Sequence, residues 1–184
     1  GSLAPYSYEF GQKDSRLTIL KQMSVKQESI LQRAWQAKSA NLPLKTPEEA
    51  LILASIIEKE TGLKSERRIV ASVFINRLKK GMPLQTDPTV IYGITKGKEI
   101  LGRGLRQSEL RKDTPWNTYL RGGLPPTPIA NPGKESIIAA LNPENTDFIF
   151  FVADGSGGHA FANNLSDHNK NVSKWRAIEK NRKD

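Results

Sequence analysis

The sequence contains no cysteine and only two histidines among its 184 residues. The absence of cysteine excludes disulfide bridges and zinc sites with thiolate ligands. His159 and His168 alone are too few for a metal site built on imidazole groups. We therefore predict that the protein uses neither a metal ion nor another cofactor.

Long apolar runs are absent as well. No stretch reaches the roughly 20 apolar residues of a membrane-spanning helix, and no signal peptide is recognisable. Gly1 and Ser2 are typical of a cloning remnant, which indicates an excised fragment of a longer protein. The length and an apolar content of 37% suit one folded domain with its own core, which we assign to residues 3–184.

Acidic residues are the minority charge, since 28 basic residues against 19 acidic ones give a net charge of +9. Such a charge suits nucleic acid, an anionic membrane surface or an acidic polymer. The basic residues are scattered among acidic ones through most of the chain, and no nucleic-acid recognition motif is present. We therefore expect no nucleic-acid partner. A polyanion binder stays as an alternative, which steep salt dependence with DNA or RNA would reveal.

What the sequence does contain is an apolar helix that ends in two carboxylates, between Leu51 and Gly62. Thr46 suits the N-cap of this helix, Pro47 its first turn and Gly62 its C-terminal end. The middle of the helix has no polar face. We therefore expect it to lie at the centre of the fold.

Glu58 and Glu60 are two residues apart and therefore point to opposite sides of this helix. A carboxyl group at the end of a buried helix is hard to ionise and can act as a general acid near neutral pH. Periodicity does not decide which of the two faces a cleft. The alternative is that both are ordinary exposed charges in the last helical turn.

The remaining pattern predicts an α+β fold, with a helical core around the central buried helix and a small antiparallel hairpin. The predicted helices cover residues 17–38, 47–61, 65–80, 108–112, 134–141 and 166–180, and another short helix starts at 87. The predicted strands cover residues 148–153 and 159–163, which form the hairpin, and 3–10 as an edge strand.

Two of these helices carry expectations about which side chains are buried. In helix 17–38 we predict one apolar stripe, formed by Leu17, Leu20, Val25, Ile30, Leu31, Ala34 and Trp35. In helix 65–80 we expect Asn76 to bond a buried group. Most other polar positions of that helix are expected to face solvent, namely Arg67, Arg68 and Arg77.

Gln85, Thr86 and Asp87 form the second informative stretch, three hydrogen-bonding side chains at the start of a predicted helix. Such groups suit sugar hydroxyls and amides, which need paired donors and acceptors. Helix capping is the alternative, although it needs Thr86 or Asp87 but not Gln85. The long segment 93–132 that follows is rich in proline and contains aromatics, which favours an ordered groove wall.

Several stretches together resemble one protein family. They are E-K-E-T-G at 58–62, S-E-R at 65–67, A-S-V-F-I-N-R-L at 71–78, L-Q-T-D-P-T-V-I-Y-G at 84–93, N-T-Y at 117–119, G-L-P-P at 123–126, N-P-G at 131–133, F-V-A-D-G at 151–155, G-G-H at 157–159 and H-N at 168–169. The set is similar to the catalytic domain of the YceG-like endolytic murein transglycosylases, also called the MltG family. The resemblance covers nearly the whole chain.

The resemblance implies cleavage of peptidoglycan at internal MurNAc–GlcNAc β-1,4 bonds without water, which leaves a 1,6-anhydro-MurNAc end. It identifies Glu60 as the catalytic acid and then base, and makes Glu58 a supporting residue. The residues that we assign to substrate binding are Gln85, Thr86, Asp87, Asn117, Tyr119 and His159.

The resemblance further implies a parent protein anchored in the bacterial inner membrane, active on its periplasmic face, with a LysM-like region before the catalytic part. Peptidoglycan glycan strands are the expected partner, and peptidoglycan synthases a further one. Two alternatives remain. One is a hydrolase with Glu60 as acid and Asp87 as base; the other is a non-catalytic peptidoglycan-binding or scaffolding domain of the cell-wall synthesis machinery.

Overall fold

The computed structural model describes residues 1–181. Residues 182–184, which the sequence assigned to the same domain, lie outside the described part. Within residues 1–181 the chain forms seven helices and one two-stranded sheet, which confirms the predicted α+β class. The helices are α1 (Arg16–Gln36), α2 (Pro47–Glu60), α3 (Arg67–Lys79), α4 (Asp87–Thr95), α5 (Gln107–Leu110), α6 (Lys134–Leu141) and α7 (Leu165–Asn181); the strands are β1 (Phe150–Ala153) and β2 (His159–Ala162).

Helix α2 lies at the centre of the core, as its apolar middle predicts. Its residues 53–57 are buried, and it packs against α1, α3, α4 and α6. Thr46 caps the helix, because its hydroxyl accepts a hydrogen bond from the backbone N–H of Glu49 at 3.3 Å. The helix ends at Glu60, where Thr61 adopts an extended conformation. The two carboxylates therefore emerge at the edge of the core.

Helix α1 is buried only in its second half, so the predicted continuous stripe is wrong. Leu31 and Ala34 belong to the core, whereas Leu17, Leu20 and Val25 are exposed. The reason is length. Helix α1 has 21 residues, and its partners α2 and α6 have only 14 and 8, so they do not cover all of it.

The segment 3–10 is not a strand, in contrast to the prediction. The backbone N–H of Ala4 donates to the carbonyl of Met23 in α1 at 3.1 Å, and that of Leu3 donates to the side chain of Asn131 at 3.2 Å. These bonds tie the segment to a helix and to a loop side chain. Neither offers the repeating ladder of a neighbouring strand.

Strands β1 and β2 form the predicted antiparallel hairpin, with Phe150 opposite Ala162 and Ala153 opposite His159. Helix α7 packs on both strands, and β1 also contacts α3. The hairpin and α7 therefore adjoin the helical core through α3. None of the helices within residues 1–181 combines the length and apolar character that a bilayer crossing requires.

Candidate active site

A cleft of about 610 Å³ opens between the end of α2, the segment that leads into α4, and the hairpin with α7. It contains six of the eight residues that the sequence proposed for the site, namely Glu60, Gln85, Thr86, Asp87, Tyr119 and His159. Five further residues with polar or aromatic side chains line it, namely Arg77, Phe150, Phe151, His168 and Asn169. Glu58 and Asn117 are not among its lining residues.

Glu60 lies half-buried where α2 ends in the cleft. Burial raises the pKa of its carboxyl from 4.5 to about 7. A hydrogen bond from Thr86 opposes this rise, the charge of Asp87 adds to it, and a positive charge on His159, present only when its ring is protonated, opposes it. Glu60 is therefore protonated in a large fraction of molecules at neutral pH.

Glu58 faces away from the cleft, toward the start of α6. Its Oε2 accepts hydrogen bonds from the backbone N–H of Gly133 at 3.1 Å and from the hydroxyl of Ser136 at 2.6 Å. Arg67 lies 3.9 Å from its Oε1. A carboxylate is favourable there, because a helix N-terminus carries partial positive charge. Glu58 thus joins α2 to α6, while Glu60 alone of the pair faces the cleft.

We expect Glu58→Gln to lower the free energy of unfolding by about 1 kcal/mol and to leave the lining of the cleft unchanged. The glutamine oxygen can still accept from Gly133 and Ser136, so only the negative charge near Arg67 and the helix start is lost. Urea unfolding of the variant and the wild type measures the difference. A stability equal to that of the wild type would show that the charge of Glu58 contributes nothing to the α2–α6 contact.

Gln85 and Thr86 are held at the cleft by Thr118. The backbone N–H of Gln85 donates to the carbonyl of Thr118 at 3.0 Å, and that of Thr86 donates to the Thr118 hydroxyl at 3.1 Å. Gln85 has a φ of +51°, a left-handed conformation that costs a residue with a Cβ about 1 to 2 kcal/mol. The bonds to Thr118 help to offset this strain, and they leave the side chain of Gln85 exposed.

Thr86 precedes α4 but does not cap it, because its side chain makes no capping hydrogen bond. Its hydroxyl donates instead to Oε1 of Glu60. Asp87 accepts a hydrogen bond at 2.6 Å from the hydroxyl of Tyr119. Burial raises the pKa of Tyr119, and the bond to Asp87 raises it further, so Tyr119 is a neutral donor. Thr86 and Asp87 therefore form hydrogen bonds with other cleft residues in addition to standing at the start of α4.

Asn117 is fully buried, so the structure corrects its assignment to substrate binding. Its side-chain amide donates to the carbonyls of Leu110 and Lys112 at 2.9 and 2.8 Å. Its side-chain oxygen accepts from the backbone N–H of Tyr119 at 3.0 Å. Both ends of the amide are thus used to shape the segment that carries Tyr119 and Thr118.

Arg77 was expected to face solvent, but it is buried in the wall of the cleft. Its Nε donates to the carbonyl of Ile149 at 2.7 Å, and its Nη1 donates to the carbonyl of Leu84 at 3.0 Å and to Oε1 of Gln85 at 3.2 Å. The guanidinium also lies 5.2 Å from the ring centroid of Phe150. Arg77 therefore connects the hairpin to the segment that carries Gln85. Asn76 forms tertiary hydrogen bonds as well, to the part-buried carbonyls of Thr146 and Phe148 at 2.8 and 3.0 Å.

Sequence reasoning also gave no role to Glu66, the residue before α3. Glu66 accepts a hydrogen bond from the backbone N–H of His159 at 2.9 Å, and its other carboxylate oxygen lies 2.7 Å from the ring Nδ1.

The other histidine, His168, stacks on Phe150 with ring centroids 4.8 Å apart. Burial lowers the pKa of His168, and the charge of Arg77 lowers it further. The cleft thus contains two histidines in different electrostatic surroundings.

Comparison with known proteins gives a consistent result. The model of the YceG-like family matches residues 1–174. A Bacillus subtilis (strain 168) protein named endolytic murein transglycosylase is 39% identical over 175 residues, which are 95% of this chain and 47% of that protein. A Streptococcus pneumoniae (serotype 2, strain D39) protein of the same name is 33% identical over 179 residues, which are 94% of this chain and 31% of that protein.

A solved structure shows the same likeness. The crystal structure of a YceG-like protein from Listeria monocytogenes superposes with a TM-score of 0.75 at 37% sequence identity. The superposition covers 92% of this chain and 54% of that one. The chain thus spans about half the length of the Bacillus relative and about a third of the pneumococcal one.

Proposed function

Because this chain belongs to the YceG-like family, we propose that it cleaves peptidoglycan glycan strands as an endolytic lytic transglycosylase. The two relatives carry this activity in their names. The bond cleaved is the β-1,4 linkage between C1 of MurNAc and O4 of GlcNAc inside a strand. The product is a 1,6-anhydro-MurNAc end, formed without water.

The observation that carries this proposal is the raised pKa of Glu60 inside the cleft. A general acid works best when its pKa lies near the working pH, because it is then both protonated and able to release its proton. Burial brings the pKa of Glu60 to about 7. Of the two glutamates at the end of α2, it is the one that lines a space wide enough for sugar rings.

In the first step Glu60 donates its proton to O4 of GlcNAc as the bond from this oxygen to C1 of MurNAc breaks. The Thr86 hydroxyl donates to Oε1 of Glu60, so Oε2 carries the acid proton toward the leaving group. Positive charge develops at C1 in the transition state. The carboxylate that forms on Glu60 lies beside this charge and stabilises it.

In the second step the C6 hydroxyl of the same MurNAc attacks C1, and the Glu60 carboxylate accepts its proton. Glu60 returns to its acid form, so the proton balance of the two steps is zero. Ordinary glycosidases need two carboxylates, one of which activates water or attacks the sugar. Here the nucleophile belongs to the substrate, so one carboxyl group serves twice.

The neighbouring polar residues hold the strand in this geometry. Gln85 is exposed and offers the NH2 of its amide as a donor to sugar substituents, while its oxygen accepts from Arg77 and keeps a second lone pair. Tyr119 donates to Oδ1 of Asp87, which leaves Oδ2 of Asp87 to accept from a sugar hydroxyl. His159 lines the cleft from the hairpin side and is the remaining residue that we assign to substrate binding.

The substrate also determines where the protein works. Peptidoglycan lies outside the cytoplasmic membrane, so we place the domain there, on the periplasmic face of the inner membrane in bacteria with two membranes. We further propose that residues 3–184 form one catalytic domain of a membrane-anchored parent protein. Peptidoglycan synthases, which make new glycan strands, are its proposed partners.

Digestion of purified glycan strands, followed by mass measurement of the new ends, tests the proposal. We expect the wild type to release fragments that end in 1,6-anhydro-MurNAc and weigh one water molecule less than hydrolytic products. A muramidase that hydrolyses the same strands provides the control for reducing ends. Reducing ends from this protein would indicate a hydrolase with Glu60 as acid and Asp87 as base. Strands that are bound but left intact would indicate a binding or scaffolding domain.

A further inference from the structure

The carboxylate of Glu66 holds His159 at two points. One oxygen accepts the backbone N–H of His159 at 2.9 Å, and the other lies 2.7 Å from the ring Nδ1. Both side chains are largely buried, with 14% of Glu66 and 16% of His159 exposed. The pair therefore fixes the position of the ring as well as the start of β2.

The turn before His159 leaves room for this contact. A Cβ at Gly158 would lie 2.6 Å from Oε1 of Glu66, which is closer than real Cβ atoms come to other atoms. A side chain at this position would displace the Glu66 carboxylate, so glycine lets the hairpin backbone approach the carboxylate this closely. On its other side the imidazole meets the edge of Phe151, with ring centroids 5.2 Å apart. The ring is thus confined on two sides.

This contact decides which ring nitrogen carries the proton. A carboxylate only accepts hydrogen bonds, so Nδ1 of His159 must be the donor to Glu66. In the neutral imidazole the other nitrogen, Nε2, is then an acceptor with a free lone pair. His159 lines the same cleft as Glu60.

We propose that Glu66 is a positioning residue, which holds His159 so that its Nε2 accepts a hydrogen bond from a sugar hydroxyl of the bound glycan strand. This inference rests on the proposed function, because it takes the glycan strand as the ligand. A glycan offers many hydroxyl donors, and a fixed acceptor selects those that lie in the right register. Glu66 itself does not touch the substrate; it acts through His159.

Glu66→Gln is the sharpest test, because it keeps the size of the side chain and reverses one hydrogen bond. The glutamine oxygen can still accept from the backbone N–H of His159, but its amide then points at Nδ1 as a donor. The neutral imidazole must move its proton to Nε2, which becomes a donor where an acceptor was present. We expect kcat/KM for glycan strands to fall about tenfold, mainly through a higher KM.

Nitrogen-15 NMR of the histidine rings reads the tautomer directly at pH 8.5, where histidine is ordinarily neutral. The chain has only two histidines, so the His159→Asn variant assigns the signals. We expect the Nδ1–H tautomer for His159 in the wild type and the Nε2–H tautomer in Glu66→Gln. A structural role of Glu66 in the hairpin turn alone would not produce the change in tautomer together with the change in KM.

Two further variants keep the test decisive. Glu135→Gln makes the same substitution at an exposed carboxylate on α6 and should keep wild-type kinetics. His159→Asn leaves an amide that can donate to Glu66 but removes Nε2, and should lose about tenfold in kcat/KM even if Glu66→Gln does not fold. In the His159→Asn background, Glu66→Gln should add little further loss, because the residue it acts through is gone.

The inference is overturned if the wild type shows the Nε2–H tautomer, if Glu66→Gln or His159→Asn keeps wild-type kcat/KM, or if the two losses add fully. These outcomes differ from a failure of the proposed function. A wild type that forms no 1,6-anhydro ends would remove that function and the sugar contact with it. An active wild type with an equally active Glu66→Gln variant would remove only the role given to Glu66.

Discussion

Glu60→Gln is expected to lower the rate of glycan cleavage about a thousandfold while the protein still folds and still binds glycan strands. Glutamine has nearly the shape of glutamic acid, and its carbonyl oxygen can accept the hydrogen bond that the Thr86 hydroxyl donates to Glu60. Its amide has no acidic proton to release and no carboxylate to receive one. Both proton transfers of the proposed reaction are therefore lost, while the shape of the cleft is retained.

The magnitude follows from the size of general acid–base effects, which is typically 10² to 10⁴. Glu60 is assigned both transfers, so we expect a loss well inside that range rather than at its lower end. The measurement is the initial rate of 1,6-anhydro end formation from purified strands. Retention of binding, measured by pull-down with insoluble peptidoglycan, separates a loss of chemistry from a loss of substrate contact.

Glu58→Gln is the matched control, because it makes the same substitution two residues earlier on α2. Glu58 bonds to the start of α6 and lies outside the lining of the cleft. Its variant should therefore cleave glycan at a rate close to that of the wild type. If Glu58→Gln is inactive and Glu60→Gln is active, the catalytic role belongs to the other glutamate.

The choice between these two glutamates shows where sequence reasoning ends. The helix that carries them could be predicted, because its signals are local: a threonine cap, a proline in the first turn and a run of apolar residues. Their opposite orientation follows from helix geometry. Which of them faces a cleft depends on Gly133 and Ser136 on one side and Thr86 on the other. These residues are distant in sequence, so periodicity carries no information about them.

Arg77 and Glu66 were missed for a related reason. An arginine in a helix is usually exposed. The one signal for burial was the position of Arg77, which follows the buried Val70 and Phe74 at helical spacing. Its burial requires carbonyl acceptors from β1 and from the segment before α4. Glu66 precedes a helix, where a carboxylate is ordinary. Its contact with His159 spans 93 residues of sequence and becomes visible only in the fold.

The N-T-Y stretch at 117–119 is another place where the sequence did not separate buried from exposed side chains. All three side chains can form hydrogen bonds, and the sequence favoured Asn117 and Tyr119 as sugar contacts. In the structure Asn117 is buried and shapes its own loop, whereas Thr118 supports Gln85 and Thr86. The segment lacks helix or strand periodicity that would separate inward from outward positions. Its polar residues can be sorted only by their tertiary contacts.

The second large effect concerns stability rather than rate: above neutral pH, Glu60→Gln should be more stable than the wild type. Burial raises the pKa of Glu60 from 4.5 to about 7 in the folded protein. Between these values the unfolded chain releases the proton and the folded protein keeps it. The folded state then binds more protons, so the free energy of unfolding falls as pH rises. Below pH 4.5 the carboxyl group is neutral in both states, and this loss is absent.

The size of the loss follows from the difference between a pKa of 4.5 and one of about 7, at 1.36 kcal/mol per pKa unit, and is about 3 kcal/mol. Glutamine does not titrate, so the variant does not lose this free energy of unfolding as the pH rises. Urea unfolding of both proteins should show the variant gaining about 2 to 3 kcal/mol relative to the wild type between pH 5 and 8. Most of the gain should appear below pH 7, and the difference should level off above it.

Glu109→Gln provides the control, because the pKa of Glu109 is lowered whereas that of Glu60 is raised. The hydrogen bond from Arg103 lowers the pKa of Glu109 to about 2, so its carboxylate is ionised in both states from pH 6 to 8. The difference between this variant and the wild type should be constant over that range. A constant difference for Glu60→Gln as well would mean that Glu60 titrates normally. The acid proposed for the first step would then be ionised at neutral pH. If the difference rises as expected, the burial that prepares Glu60 to donate a proton also destabilises the fold.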